Sequence, residues 1–181
     1  GPRRQRRPLT REGAWEYLLR VLARQSYTVA ELRRKLKQRE VPDETADELL
    51  VRLQELRLVD DATFAEQYVA SRKDARGRMA LGQELRRKGI AEELATQNLA
   101  TLTAPQQLAA ATALLLKNAW RYQPQPAADD GDGAAASSDE FAQRSTLLKA
   151  RARAMAFLAR RGFTADVAVQ AIDASGWFEG S

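Results

Sequence analysis

The sequence predicts an all-α protein, an elongated array of three tandem three-helix repeats of helix-turn-helix type. Three observations carry that reading. Apolar residues return at helical spacing along most of the 181 residues, and no stretch alternates with period two for long enough to argue a strand. The same apolar pattern then returns at fixed offsets along the chain. A turn of the form basic–Gly–apolar also recurs at equivalent points.

The elements follow in order. Trp15, Leu18, Leu19 and Leu22 make one apolar stripe at i, i+3, i+4, i+7 and define the first helix. Thr28-x-x-Glu31 is a capping box that opens a second helix bearing Val29, Leu32 and Leu36. A third begins near Pro42-Asp43 and offers Ala46, Leu49, Leu50, Leu53 and Leu56 to a core. Asp60 or Asp61 caps a fourth, with Phe64, Tyr68 and Val69 facing inward. A fifth runs from about Arg78 to Lys88 and a sixth from about Glu92 to Leu102. Thr103-x-x-Gln106, with Pro105 in the first turn, opens a seventh through Leu108, Leu115 and Trp120. Ser137-x-x-Glu140 opens an eighth that ends near Arg161, and the ninth runs from about Thr164 to Ala174.

The nine expected helices repeat. Leu36, Val41 and Leu50 align with Leu85, Ile90 and Leu99 at an offset of 49, and these align with Leu158, Phe163 and Ile172 at an offset of 73. The second offset is longer by 24 residues, about the size of the Pro-, Ala-, Gly-, Ser- and Asp-rich stretch at 123–142. That composition buries nothing and reads as a flexible acidic insertion. The expected organisation is a basic flexible arm at 1–10, repeats at 11–58, 59–102 and 103–175, the insertion at 123–142 inside the third, and a tail at 176–181. Each unit is too small to bury its apolar faces alone, so neighbours should stack. Lys88-Gly89-Ile90 and Arg161-Gly162-Phe163 suit a helix end closed by a left-handed glycine, with the apolar residue folding back on the last turn. The first repeat has Arg39-Glu40-Val41, where a looser turn is expected.

Composition bounds the chemistry. Lys and Arg number 29 against 24 Asp and Glu, for a net +5; 44% hydrophobic and 29% charged residues suit a chain with a packed core. Residues 1–11 carry +5, from Arg3, Arg4, Arg6, Arg7 and Arg11, whereas 123–142 carry −5, so the chain without the acidic stretch is +10. There is no Cys, which excludes disulfides and thiolate metal sites. There is no His either, which removes the commonest general base and most zinc and iron sites. The expectation is a binding protein, not an enzyme, with no cofactor. No apolar run approaches the roughly 18 residues of a membrane span, and no signal peptide is visible, so a cytoplasmic location is expected.

Basic side chains are the candidate site. Arg39, Lys88 and Arg161 share a last-turn position where a cation meets the negative helix end, worth about 0.3–1 kcal/mol, and Glu31–Lys35 and Glu84–Lys88 read as ordinary i, i+4 pairs. Arg33 and Arg34 differ, because the aligned positions are Gly82 and Gln83, then Met155 and Ala156; no repeat-wide structural need calls for charge there. Arg72, Arg76 and Arg78 bracket a Gly turn and form a second cluster. Lys37, Arg86 and Arg87 complete the candidate partner- and DNA-binding set, with Arg151, Arg153 and Arg160 in reserve. Asp60-Asp61 reads as a helix cap, since no third acid sits at metal-ligand spacing. Tyr68 reads as core, and Trp177-Phe178 as packing of the chain end.

Three stretches, in order, resemble the RecX regulators of the RecA recombinase. They are Leu22-Ala23-Arg24 with Glu31-Leu32-Arg33-Arg34-Lys35-Leu36; Leu58-Val59-Asp60-Asp61-Ala62-Thr63-Phe64-Ala65 with Tyr68-Val69 and Ser71-Arg72; and Gln83-Glu84-Leu85-Arg86-Arg87-Lys88-Gly89-Ile90. With Arg161-Gly162-Phe163 the resemblance covers about residues 11–175, and it makes Asp60, Asp61, Phe64, Gly89 and Gly162 its structural signature. Departures are Ala75-Arg76-Gly77-Arg78 in place of Gly-x-Gly-Pro, Gly82 where a basic residue is common, and the acidic insertion. The resemblance implies a monomeric regulator that lies in the groove of the RecA–DNA filament and restrains strand exchange and ATP hydrolysis, in DNA repair and recombination and the SOS response. It also implies weak, largely sequence-independent contact with single- and double-stranded DNA. The competing reading is a direct DNA-binding protein of non-specific or helix-turn-helix type, although no helix repeats an Arg/Asn/Gln face across the units.

Overall fold

The computed structural model describes residues 8–125 and 136–178. Among the described residues the chain forms ten helices and no strand. The described residues divide into two compact units, one of 8–70 with 83–98 and one of 71–82 with 99–125 and 136–178.

The first unit holds α1 (Arg11–Leu22), α2 (Val29–Gln38), α3 (Asp43–Glu55), α4 (Asp61–Arg72) as far as Ala70, the end of α5 (Arg78–Arg87) and most of α6 (Glu92–Leu99). Ala14 and Leu18 of α1, Leu32 and Leu36 of α2, and Ala46, Leu49, Leu50 and Leu53 of α3 form its core with Val41 and Val59. Helical spacing selects Leu18, Leu32, Leu36, Ala46, Leu49, Leu50 and Leu53 correctly, but Leu19 and Leu56, also expected inside, are 40% and 54% exposed, and Ala14 is buried in the first helix instead. Leu9 and Thr10, expected in the flexible arm, are held: Leu9 packs against the same core, and the Thr10 hydroxyl accepts from Gly13 N at 3.1 Å. Arg3, Arg4, Arg6 and Arg7 lie outside the described residues.

The second unit holds the start of α5, then α7 (Ala104–Lys117), α8 (Ala119–Tyr122), α9 (Ala136–Arg160) and α10 (Ala165–Ala174). Its core joins Ala110, Ala111, Leu115 and Tyr122 to Ala154, Phe157, Leu158, Phe163, Ala168, Ala171 and Ile172, with Trp177 and Phe178 against it as expected. Four expectations need correction. The sixth helix stops at Leu99, short of Leu102. The seventh breaks at Asn118, whose side-chain amide donates to the Leu114 carbonyl at 2.8 Å. That break shifts the helical register, so Tyr122 turns inward and stacks on Phe157 at 4.5 Å while Trp120 is 75% exposed. Residues 136–142, expected in the flexible insertion, belong to α9; residues 126–135 lie outside the description.

The repeat equivalences hold at their centre. Leu36, Leu85 and Leu158 are each 0% exposed, and Val41, Ile90 and Phe163 are all buried. The turn beyond each of these leucines closes in the same way: Val41 N donates to Leu36 O, Ile90 N to Leu85 O and Phe163 N to Leu158 O, at 3.0–3.1 Å. Glu40 takes a left-handed φ of 56°, against 79° for Gly89 and 90° for Gly162. The first turn is therefore not looser. It is the same Schellman closure, with the strain of a side chain at positive φ accepted.

Candidate functional site

Each glycine turn is also a docking point. In the first unit the Thr28 hydroxyl, which caps α2 by accepting from Glu31 N, donates to the Lys88 carbonyl at 2.5 Å. In the second unit Gly77 N donates to the Arg161 carbonyl at 2.8 Å and Met79 N to the Gly162 carbonyl at 3.1 Å. Thr28 and Gly77 are equivalent in the repeat, so both clasps hold one helix start against the next repeat's turn. A Cβ on Gly89 would stand 2.2 Å from the Ala30 Cβ, one on Gly162 2.2 Å from the Ala80 Cβ, and one on Gly77 2.3 Å from Gly162 backbone. Close backbone approach, besides φ, excludes a side chain.

The acidic pair Asp60-Asp61 has two different jobs. Asp60 caps its own helix, accepting from Ala62 N at 2.9 Å and Thr63 N at 3.2 Å; these bonds, that from Thr63 first, hold its carboxyl below the usual value. Asp61, expected to share that role, instead accepts from Val29 N at 3.0 Å, at the start of α2. Burial pushes its carboxyl up, with the nearby charges of Asp60 and Glu31 acting in the same direction. This contact bridges 32 residues, and no local pattern announces it.

Across the same junction lies a crevice of about 330 Å³ lined by Glu31, Arg34, Tyr68, Glu84, Arg87 and Lys88. Glu31 meets Lys88 at 3.5 Å in place of the intrahelical partner Lys35, which sits over the Tyr27 ring. The Lys88 ammonium also lies 5.7 Å and 5.6 Å from the ring centres of Phe64 and Tyr68. Tyr68 is buried, as expected of core, and its hydroxyl donates to Glu84 at 2.8 Å. The Arg34 guanidinium donates to the Arg87 carbonyl at 3.2 Å.

The candidate cations fall into distinct states. Arg33 is ion-paired with Asp47. Arg86 chelates Glu92 through two bonds of 2.8 Å, which hold the Glu92 carboxyl down and raise the guanidinium. Arg34, Lys37 and Arg87 are exposed and meet no carboxylate among the described residues. Of the candidates in the first unit, the structure brings Arg34 and Arg87 into one crevice, and sets Arg33 and Arg86 against acids of their own. In the second unit, Arg78 donates to the Leu102 carbonyl and its backbone N–H to Gln107 at 2.9 Å, which anchors the start of α5. Arg72 donates to the Ser71 hydroxyl at 2.9 Å, and Arg76 is exposed. Arg151 reaches Asp173 at 3.4 Å, and Arg153 and Arg160 are exposed. Among the described residues no group of three acids is placed to hold a metal ion, and no single helix is long and apolar enough to cross a membrane.

Two of the three-helix units match models of one family. Residues 14–53 match the family description "RecX, first three-helix domain" and residues 60–99 "RecX, second three-helix domain". The chain is 36% identical over 174 residues to the regulatory protein RecX of Mycobacterium sp. strain JLS, covering 95% of this chain and 86% of that one. The chain belongs to the RecX family. A match to the regulatory protein RecX of Mycobacteroides abscessus is 43% identical over 82 residues, and it spans 40% of that protein. The crystal structure of RecX from Lactobacillus salivarius shares the fold, with a TM-score of 0.69 at 22% identity over 92% of this chain and 96% of that one. RecX proteins are a regulatory family.

Proposed function

We propose that this RecX protein binds the RecA–DNA nucleoprotein filament and slows the recombinase's working cycle of ATP hydrolysis and strand exchange. The observation that carries the proposal is the unneutralised positive charge of Arg34, Lys37 and Arg87 on exposed positions of the first unit, beside cations already paired to acids. A filament of protein and DNA is polyanionic, and surplus cations are what such a partner attracts. Membership of the RecX family makes RecA the partner to test. Inhibition by binding needs surface complementarity and no chemistry, in keeping with a chain that has neither His nor Cys.

The test titrates the chain into RecA hydrolysing ATP on single-stranded DNA and measures retention of the free strand in parallel. Inhibition at concentrations where free DNA is barely retained supports filament regulation. Inhibition that appears only as the DNA itself becomes coated supports the competing reading, a direct non-specific DNA-binding protein.

A further inference from the structure

We propose that the crevice between α2, α4 and the end of α5 is a seat for a single phosphodiester, gripped by Arg34 and Arg87. The inference rests on the filament reading for the source of the strand. Its chemistry comes from the crevice alone.

Six side chains line the crevice, and four are already engaged. Glu31 is matched by Lys88, Lys88 also lies over two aromatic rings, and Glu84 accepts from Tyr68. The two guanidiniums remain as exposed cations that share one opening, with no carboxylate partner among the described residues. With Arg34, Arg87 and Lys88 set against Glu31 and Glu84, the crevice keeps a surplus of one positive charge, and a surplus of that sign attracts an anion. One Arg34 donor is directed to the Arg87 carbonyl at 3.2 Å, and its other donors stay available.

The arrangement favours phosphate over carboxylate. A planar carboxylate is satisfied by one guanidinium in a two-bond fork, as Glu92 is by Arg86 in this same unit. Two guanidiniums from separate helices instead suit the two non-bridging oxygens of a tetrahedral phosphodiester, which point apart. The ring that could have stacked on a base is not available, since Tyr68 is buried with its hydroxyl engaged. The seat therefore reads backbone and not base, and binding through it is independent of sequence.

The probe is a fluorescent oligothymidylate, its binding to the full chain followed by anisotropy over a range of salt. Removing one contact on a single strand should flatten the log–log salt slope by about 0.7. Arg87→Ala and Arg34→Gln are each expected to do so and to weaken binding several-fold; the glutamine keeps a donor for the Arg87 carbonyl while removing the charge. Because both arginines hold one phosphate, the double variant should lose little more than either single one. Arg33→Ala should leave slope and affinity unchanged, since that charge already faces Asp47. Equal thermal midpoints show that the fold is intact. The proposal is overturned if the unaltered chain does not bind the strand, if Arg34→Gln and Arg87→Ala keep its slope, or if Arg33→Ala flattens it equally. Variants that lose RecA inhibition with the slope unchanged also overturn it, because the crevice would then take a protein acid. Strand binding that depends on the two arginines, in a chain that never slows RecA, leaves the seat standing and defeats the filament reading instead.

Discussion

The turn at Arg39–Val41 and the turn at Lys88–Ile90 have the same backbone closure and different neighbours. Both follow a buried leucine, both fold an apolar residue back on it, and both hold their middle residue at positive φ. Both are exposed, but Glu40 carries a side chain, whereas Gly89 lies against the start of α2, where a Cβ would collide with Ala30. Gly162 repeats the second situation against Ala80 within the other unit. Glycine at these turns is thus required less by the left-handed backbone, which Glu40 and Arg57 also tolerate, than by the helix that docks on them.

The largest expected effect tests that difference directly. Gly89→Ala combines a steric overlap with a side chain at positive φ and should cost about 2–5 kcal/mol in urea unfolding. Glu40→Ala should cost almost nothing. Equal losses at the two positions would break the comparison. Recovery of part of the Gly89→Ala loss by adding Ala30→Gly would sharpen it.

Next in size is the clasp. Thr28 is fully buried and both accepts from Glu31 N and donates to the Lys88 carbonyl, so Thr28→Val should cost about 1–3 kcal/mol by leaving polar backbone unpaired. A glycine at the first turn should act in the opposite direction. Glu40→Gly relieves the left-handed strain and should raise stability by up to about 1 kcal/mol.

The smallest effect is in pH dependence. Asp61 has its folded carboxyl raised by burial, so the stability linked to its protonation is present below the unfolded value and is lost as pH rises through the folded one. Asp61→Asn keeps an acceptor for Val29 N without the charge, and should lift the melting midpoint at pH 7 more than at pH 3. For Asp60 the sign is reversed: its lowered carboxyl contributes stability above the unfolded value, lost as pH falls through the folded one. Asp60→Asn should therefore give no such gain at neutral pH.

Helices, caps and repeat were readable in the sequence because each is a local pattern. Thr28, Thr103 and Thr164 cap where their position before an apolar run says they should, and Leu36, Leu85 and Leu158 are buried where the offsets put them. What failed was long-range or a matter of register. Glu31 with Lys88 and Asp61 with Val29 are separated by 57 and 32 residues, so pairing rules within one helix pointed Glu31 to Lys35 and kept Asp61 on its own helix. Trp120 was misplaced because one broken turn at Asn118 is enough to exchange it for Tyr122. Arg33 and Arg34 look alike as neighbours in sequence, and only the fold shows that the first faces Asp47 and the second opens on the crevice.

The most direct measurement of the central claim is co-sedimentation of the chain with RecA filaments assembled on single-stranded DNA. The unaltered chain and Arg33→Glu are expected in the pellet at moderate salt, and the Arg34→Glu, Arg87→Glu double variant in the supernatant with its melting midpoint unchanged. Recovery of the double variant in the pellet at the level of the unaltered chain, or failure of the unaltered chain to sediment at all, would contradict it.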